Sequence, residues 1–182
     1  MKQVYILLSR TGTVPSKFIH KMTGGEFTHV SIALLPTTDQ LYSYARRKLN
    51  NPLNAGFVVE NIHTHVFARY PDCNCTLYAL TVSDEAYLRM QKQIRFFMKH
   101  YQKATYNFLG AVALRFGIRW RRQLRLTCSQ FVAVVLTAAE EITLPKDPYL
   151  MLPNDFKKVP GLQPIYKGIL KECSIPSSVP CV

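Results

Sequence analysis

A cysteine at the start of an apolar segment is the first residue whose side chain could take part in a reaction. Cys128 lies in RLTCSQFVAVVL, where the apolar residues recur at helical spacing. Thr127 followed three residues later by Gln130 matches a capping box, so we predict a helix from Cys128 to about Glu141. Free backbone N–H groups and the helix dipole favour a thiolate at such a position and can stabilise an oxyanion. The alternative is that Cys128 is only a small buried hydrophobic residue, as free cysteines often are.

A thiol nucleophile also needs a base, and His29 is the best candidate among the five histidines. In the alternating segment FTHVSIALL, His29 shares one strand face with Ser31, while Val30 and Ile32 occupy the other face. Glu60 ends the apolar segment GFVVE and would accept the second ring N–H of His29 if the two strands are neighbours. Each residue alone is equally well explained as a packed or solvated side chain, so the hypothesis depends on the trio.

The elements that must position the trio follow from the hydrophobic periodicity. We predict strands over residues 3–8, 27–35, 41–46, 56–62 and 75–82. We predict helices over residues 16–22, 83–101 with Ser83 as N-cap, and 106–116. From about residue 145 the chain is rich in Pro, Gly and Lys, and we expect a mostly loop-rich tail. Strands dominate the first half and helices the second, which predicts a single α+β domain over residues 1–182 with a mainly antiparallel sheet.

The composition is that of a globular protein with excess positive charge. The chain is 48% hydrophobic and 19% charged, and 23 Lys and Arg against 11 Asp and Glu give a net charge of +12. Such a charge favours anionic partners. The candidate contacts for an anionic surface are five arginines around the single tryptophan: Arg115, Arg119, Arg121, Arg122 and Arg125. The alternative is a solvated basic face, and no specific nucleic-acid motif accompanies these arginines.

The cysteines and the apolar segments indicate the cellular compartment and whether a metal or cofactor is expected. Five cysteines without a CxxC pair are typical of free thiols in an intracellular chain. His63, His65, Cys73 and Cys75 form an alternative zinc-ligand set, but no second cysteine pair stands nearby, and we predict neither metal nor cofactor. The first residues lack the features of a signal peptide, and no apolar stretch is long enough to span a bilayer. We therefore expect a cytoplasmic protein without a transmembrane segment.

The order of the three candidate residues matches a known enzyme group. The blocks FTHVSIAL, GFVVE and TCSQFV present histidine, carboxylate and cysteine in that order. Over about residues 3–160 the chain resembles the circularly permuted papain-like hydrolases of the NlpC superfamily, in particular the YiiX-like branch. The resemblance implies a permuted papain-like fold with the cysteine helix packed against a central sheet. It implies Cys128 as nucleophile, His29 as general base and acid, and Glu60 as the residue that orients His29.

The resemblance implies attack on an amide or ester carbonyl but leaves the substrate open. We expect a cysteine peptidase-like hydrolase that cleaves an amide bond in a peptide or peptidoglycan-like substrate. TCSQFV also resembles the cysteine motif of the lecithin retinol acyltransferase group, which transfers acyl chains from phospholipids. That group has a second histidine where this chain has Glu60, which favours the amidase. Tyr106 and, more weakly, Ser9 are candidates to line the cleft. A non-catalytic basic binding module is the third alternative.

Overall fold

The described part of the chain is built around an eight-stranded sheet. A computed structural model describes residues 1–10, 25–48, 51–70, 72–100, 102–107, 116–119 and 124–175. The strands are β1 Lys2–Arg10, β2 His29–Ala33, β3 Leu41–Lys48, β4 Asn51–Glu60, β5 Asn74–Val82, β6 Thr105–Tyr106, β7 Arg125–Leu126 and β8 Gln163–Ile169. The helices are α1 His65–Ala68, α2 Asp84–Lys99 and α3 Cys128–Thr137. Short 3-10 helices cover Pro148–Leu150, Pro153–Lys158 and Leu170–Glu172.

The sheet is mainly antiparallel. Its strand order is β7-β6-β4-β3-β2-β1-β5-β8. Neighbouring strands run antiparallel, except that β6 and β7 are parallel. The predicted class, α+β with a mainly antiparallel sheet, is confirmed.

Each face of the sheet carries its own apolar core, because successive strand residues point to opposite sides. On the helix face, Val30 and Ile32 of β2 pack in one cluster with α2 and α3. On the second face, Ala33 packs with Leu7 of β1 and with Phe67 of α1. The alternation predicted for β2 therefore separates two buried layers.

Aromatic contacts hold α3 against the helix face. Phe131 lies with its ring centroid 5.4 Å from Tyr44 and 5.1 Å from Phe97. Phe57 meets Phe131 edge-on at 5.6 Å. Full burial of such a side chain contributes about 1.5–3 kcal/mol. The position of α3, and with it that of Cys128, is thus fixed by packing one turn away from the thiol.

The two longer helices begin where the sequence predicts. The Ser83 hydroxyl accepts a hydrogen bond from the Ala86 N–H at 3.1 Å, which caps α2. The capping box predicted at the start of α3 is also present. α3 ends at Thr137, earlier than the predicted end near Glu141, because Glu140 has a left-handed backbone with φ of 65°. Among the helices of the described ranges, none is long and apolar enough to cross a membrane.

The segment after about residue 145 differs from the mostly loop-rich tail that we predicted. β8 extends the sheet by pairing antiparallel with β5, with Cys75 opposite Gly168. All residues of β8 are exposed or half-buried, so its sequence lacks the apolar alternation that identifies an inner strand. The helix predicted over residues 16–22 lies outside the described residues, as do residues 108–115 of the segment predicted over 106–116. The single-domain assignment stays a prediction.

Candidate active site

Cys128 follows Thr127, whose side chain and backbone form a capping box with Gln130. The Thr127 hydroxyl accepts from the Gln130 N–H at 3.3 Å, and the Gln130 side-chain oxygen accepts from the Thr127 N–H at 3.0 Å. The Gln130 side-chain amide also donates to the Tyr149 carbonyl at 3.0 Å, which ties the helix start to the 3-10 helix Pro148–Leu150. Cys128 is the first residue of the helix, as predicted, and it is buried.

His29 and Glu60 meet on the second face of the sheet. Nε2 of His29 lies 2.9 Å from Oε2 of Glu60, and only 14% and 12% of the two side chains are exposed. The two residues meet although their strands are not neighbours, because β3 lies between β2 and β4. Strands two places apart are separated by roughly 9–10 Å. The Glu60 side chain therefore spans the intervening strand to reach the imidazole.

Ser43 of β3 fills the position between them and was not predicted from the sequence. Its hydroxyl donates to the same Oε2 of Glu60 at 2.7 Å, and the residue is fully buried. A small side chain leaves room for Glu60 to cross β3, and the hydroxyl adds a second donor to the carboxylate. Nothing in the segment LYSYAR marks this role, since it depends on which strand separates β2 from β4.

The imidazole also joins the cysteine. The Cys128 side chain lies close enough to His29 to act on its pKa. Because Glu60 engages Nε2, Nδ1 is the ring nitrogen left for the sulfur. Burial by itself lowers the pKa of His29, but the Glu60 carboxylate and the Cys128 sulfur together raise that pKa well above its ordinary value. An imidazole held positive in this way favours a neighbouring thiolate. The structure thus brings Cys128, His29 and Glu60 together, with His29 interacting with both of the other side chains.

Tyr106 lies beside the thiol. β6 pairs in parallel with β7 so that Tyr106 stands opposite Leu126, two residues before Cys128. Burial, together with the Cys128 sulfur, raises the pKa of the Tyr106 hydroxyl well above its ordinary value. Tyr106 therefore lies near the Cys128 sulfur, and its role in lining a cleft stays a prediction.

Ser9 lies on β1, the strand that pairs with β2 beside His29. It stands opposite His29 in the β1–β2 register and is fully buried, so it is not on an exposed rim. Its hydroxyl has no hydrogen-bond partner among the described residues. A role in contacting substrate is therefore weaker for Ser9 than for Tyr106.

The cysteines of the alternative zinc set belong to the second core. Cys73 and Cys75 are free, buried cysteines there, the Cys75 thiol lies beside the free thiol of Cys173, and His63 is exposed. Burial raises the pKa of Cys73 to about 11, which keeps it a protonated thiol at neutral pH. In the ranges that the structure describes, no group of three or more His, Cys, Asp or Glu side chains is placed to hold a metal ion.

Two of the five arginines predicted to meet an anionic surface lie in described segments. Arg119 forms an ion pair with Asp147, with Nε 3.0 Å from Oδ2. Arg125 is exposed in β7, at an edge of the sheet. Arg115, Arg121 and Arg122 lie outside the described residues.

The geometry defines an α+β protein with a candidate Cys–His–Glu site at a helix N-terminus. No family model and no curated protein matches the chain. Its fold is similar to the crystal structure of metalloprotein yiiX from Escherichia coli O157:H7, described as DUF1105. The TM-score is 0.60 at 12% identity, over 92% of this chain and 98% of that one. The predicted YiiX-like fold is thereby confirmed, and at this identity the likeness concerns the fold alone.

Proposed function

We propose that the protein is a cysteine-dependent hydrolase of the circularly permuted papain-like type, cleaving an amide bond through a thioester on Cys128. The observation that carries the proposal is that His29 is hydrogen-bonded to Glu60 and also interacts with the Cys128 side chain. A buried structural cysteine has no need of an imidazole and a carboxylate in series. A non-catalytic binding module has no need of them either.

The reaction follows the division of roles seen in thiol hydrolases. The Cys128 thiolate attacks the carbonyl carbon, forming a C–S bond and an oxyanion that faces the N–H groups of the first turn of α3. His29 then gives its Nδ1 proton to the departing amine as the C–N bond breaks, which leaves a thioester. Water attacks the thioester, His29 accepts the water proton, and the carboxylic acid product leaves with the thiolate restored. Glu60 fixes the ring orientation and stabilises the imidazolium.

A second candidate substrate is an acyl lipid. The same nucleophile and base would attack an ester carbonyl, and the thioester would pass its acyl group to water or to an acceptor. The observation that favours this candidate is an exposed apolar turn at Phe116 and Ile118, which lies in the chain before Cys128. A panel of peptide amides and phospholipid esters, incubated with the protein and followed by product mass, separates the two candidates.

The proposal is tested by the reactivity of each cysteine. We expect iodoacetamide to modify Cys128 selectively and to keep doing so below about pH 7, where an ordinary thiol is protonated. His29→Ala should slow this modification at least tenfold at that pH. The rate is followed by peptide mass spectrometry of the intact, folded protein. His63→Ala is the matched control, because His63 is exposed and outside the site.

Two results would contradict the proposal. One is a Cys128 that does not react, or reacts no faster than Cys173, in the wild-type protein. The other is a reaction whose pH dependence is the same in His29→Ala and in His63→Ala. In either case the first residue of α3 is a packing cysteine.

A further inference from the structure

An exposed apolar turn lies between β6 and β7. Phe116 and Ile118 are 72% and 55% exposed, which is unusual for large apolar side chains. Gly117 between them has φ of 67°, a left-handed conformation that glycine adopts without strain. A Cβ built on Gly117 would meet no atom within 4 Å. The turn therefore projects away from the rest of the molecule, with two apolar side chains at its tip.

The turn is tied to the first turn of the cysteine helix. Arg119, directly after the tip, pairs with Asp147, and Asp147 also accepts from the Tyr149 N–H at 2.8 Å. The Tyr149 carbonyl in turn accepts from Gln130, which belongs to the cap of α3. The ion pair and the two hydrogen bonds thus connect the projecting tip to the residues that position Cys128.

The sequence around the turn is rich in basic residues, although Arg119 itself is paired with Asp147. Between Glu85 and Glu140 the sequence contains no Asp or Glu but ten Lys or Arg. Arg125, close to the turn in the chain, is exposed. Apolar side chains that project from a cationic region suit an anionic lipid surface, where the side chains enter the headgroup boundary and the cations meet phosphate groups. A nucleic acid would match the charge and offer Phe116 a base to stack on, but it would leave the aliphatic side chain of Ile118 without a partner.

We infer that the turn Phe116–Arg119 is an interfacial anchor that docks the protein on anionic phospholipid bilayers. The docking goes beyond the proposed hydrolase activity and does not depend on it. It brings the end of α3 that bears Cys128 close to the bilayer.

The test uses the full chain carrying Cys128→Ala, so that catalysis plays no part. The protein is floated with vesicles of phosphatidylcholine containing about one third phosphatidylglycerol, and with vesicles of phosphatidylcholine alone. We expect binding to the anionic vesicles that weakens as salt rises. Replacing both tip residues, Phe116→Gln with Ile118→Gln, should weaken that binding about tenfold or more.

The control is Leu88→Gln with Met98→Gln, which removes two exposed apolar side chains from α2. Binding by this variant should equal that of the parent, and thermal melts confirm that both double variants fold. No binding to anionic vesicles overturns the inference. Equal binding by the tip and control variants also overturns it, since charge alone would then suffice. Tighter binding to a polyuridine strand than to vesicles, unaffected by the tip substitutions, would assign the surface to nucleic acid instead.

Discussion

At the scale of single residues, one carboxylate oxygen organises the candidate site. Oε2 of Glu60 accepts from His29 and from Ser43. The two donors fix where the carboxylate lies beside the imidazole. The Glu60 carboxylate in turn raises the pKa of His29. Ser43 touches neither the thiol nor a substrate, so it acts as a positioning residue through Glu60.

Replacing Ser43 by alanine should lower both stability and Cys128 reactivity. A hydrogen bond to a charged group contributes about 1.5–3 kcal/mol, and we expect a loss in this range on urea unfolding. Without the hydroxyl, the Glu60 carboxylate is held less firmly against His29, and the imidazolium that favours a thiolate at low pH loses support. The alkylation rate of Cys128 should therefore drop several-fold near pH 6 and less near pH 8.

Two further variants separate positioning from packing. Ser43→Thr keeps the hydroxyl and should restore the pH profile of alkylation, even if its extra methyl costs stability. Ser31→Ala removes a buried hydroxyl on the same face that has no hydrogen-bond partner among the described residues, so it should leave reactivity unchanged. If the Cys128 alkylation rates of Ser43→Ala and wild type differ by the same factor at every pH, Ser43 only fills space.

At the scale of elements, the start of α3 has two roles that mutations can distinguish. The capping box stabilises the helix, and the same geometry aims the Cys128 side chain at His29. Thr127→Ala should cost about 1 kcal/mol on urea unfolding, the usual effect of losing an N-cap hydroxyl. It should also slow Cys128 alkylation, because the first turn frays.

The matched control is Ser83→Ala, which removes the N-cap of α2. It should cost a similar free energy of unfolding while leaving the alkylation rate of Cys128 unchanged. Equal effects of the two substitutions on that rate would show that helix capping acts only through global stability.

The same elements show what the sequence can and cannot predict. β1 to β5 and the starts of α2 and α3 follow from local periodicity and from the caps at Ser83 and Thr127. β6 and β7 are two residues long, too short to show any period. Residue types in the sequence indicate the trio. The path of the Glu60 side chain across β3 depends on strand order, which only non-local strand pairing fixes. Ser43 was missed for the same reason.

At the scale of the whole molecule, the site joins two layers. Cys128 belongs to the core on the helix face, whereas the His29 ring lies 6.2 Å from Phe67, which belongs to the core on the second face. The interaction between Cys128 and His29 therefore requires both layers to be formed. The charge state of His29 in turn contributes to the stability of the entire fold, since the unfolded chain does not hold Glu60 beside it.

The global free energy of unfolding should accordingly depend on pH through His29. Its folded pKa is raised, chiefly by Glu60 against the opposing effect of burial, so the folded state holds the proton more tightly than the unfolded state. This contribution is complete below the unfolded value of about 6.5 and is lost as pH rises through the folded pKa. Glu60→Gln removes the largest of the effects that raise the pKa of His29. The stability difference between wild type and Glu60→Gln should be greatest near pH 6 and shrink by about 1 kcal/mol or more toward alkaline pH, since one pKa unit corresponds to about 1.4 kcal/mol. Urea unfolding across this range measures it, with the exposed Glu85→Gln as control. If the wild-type and Glu60→Gln curves run parallel, the carboxylate does not hold a proton on His29, and an imidazolium–thiolate pair loses its support.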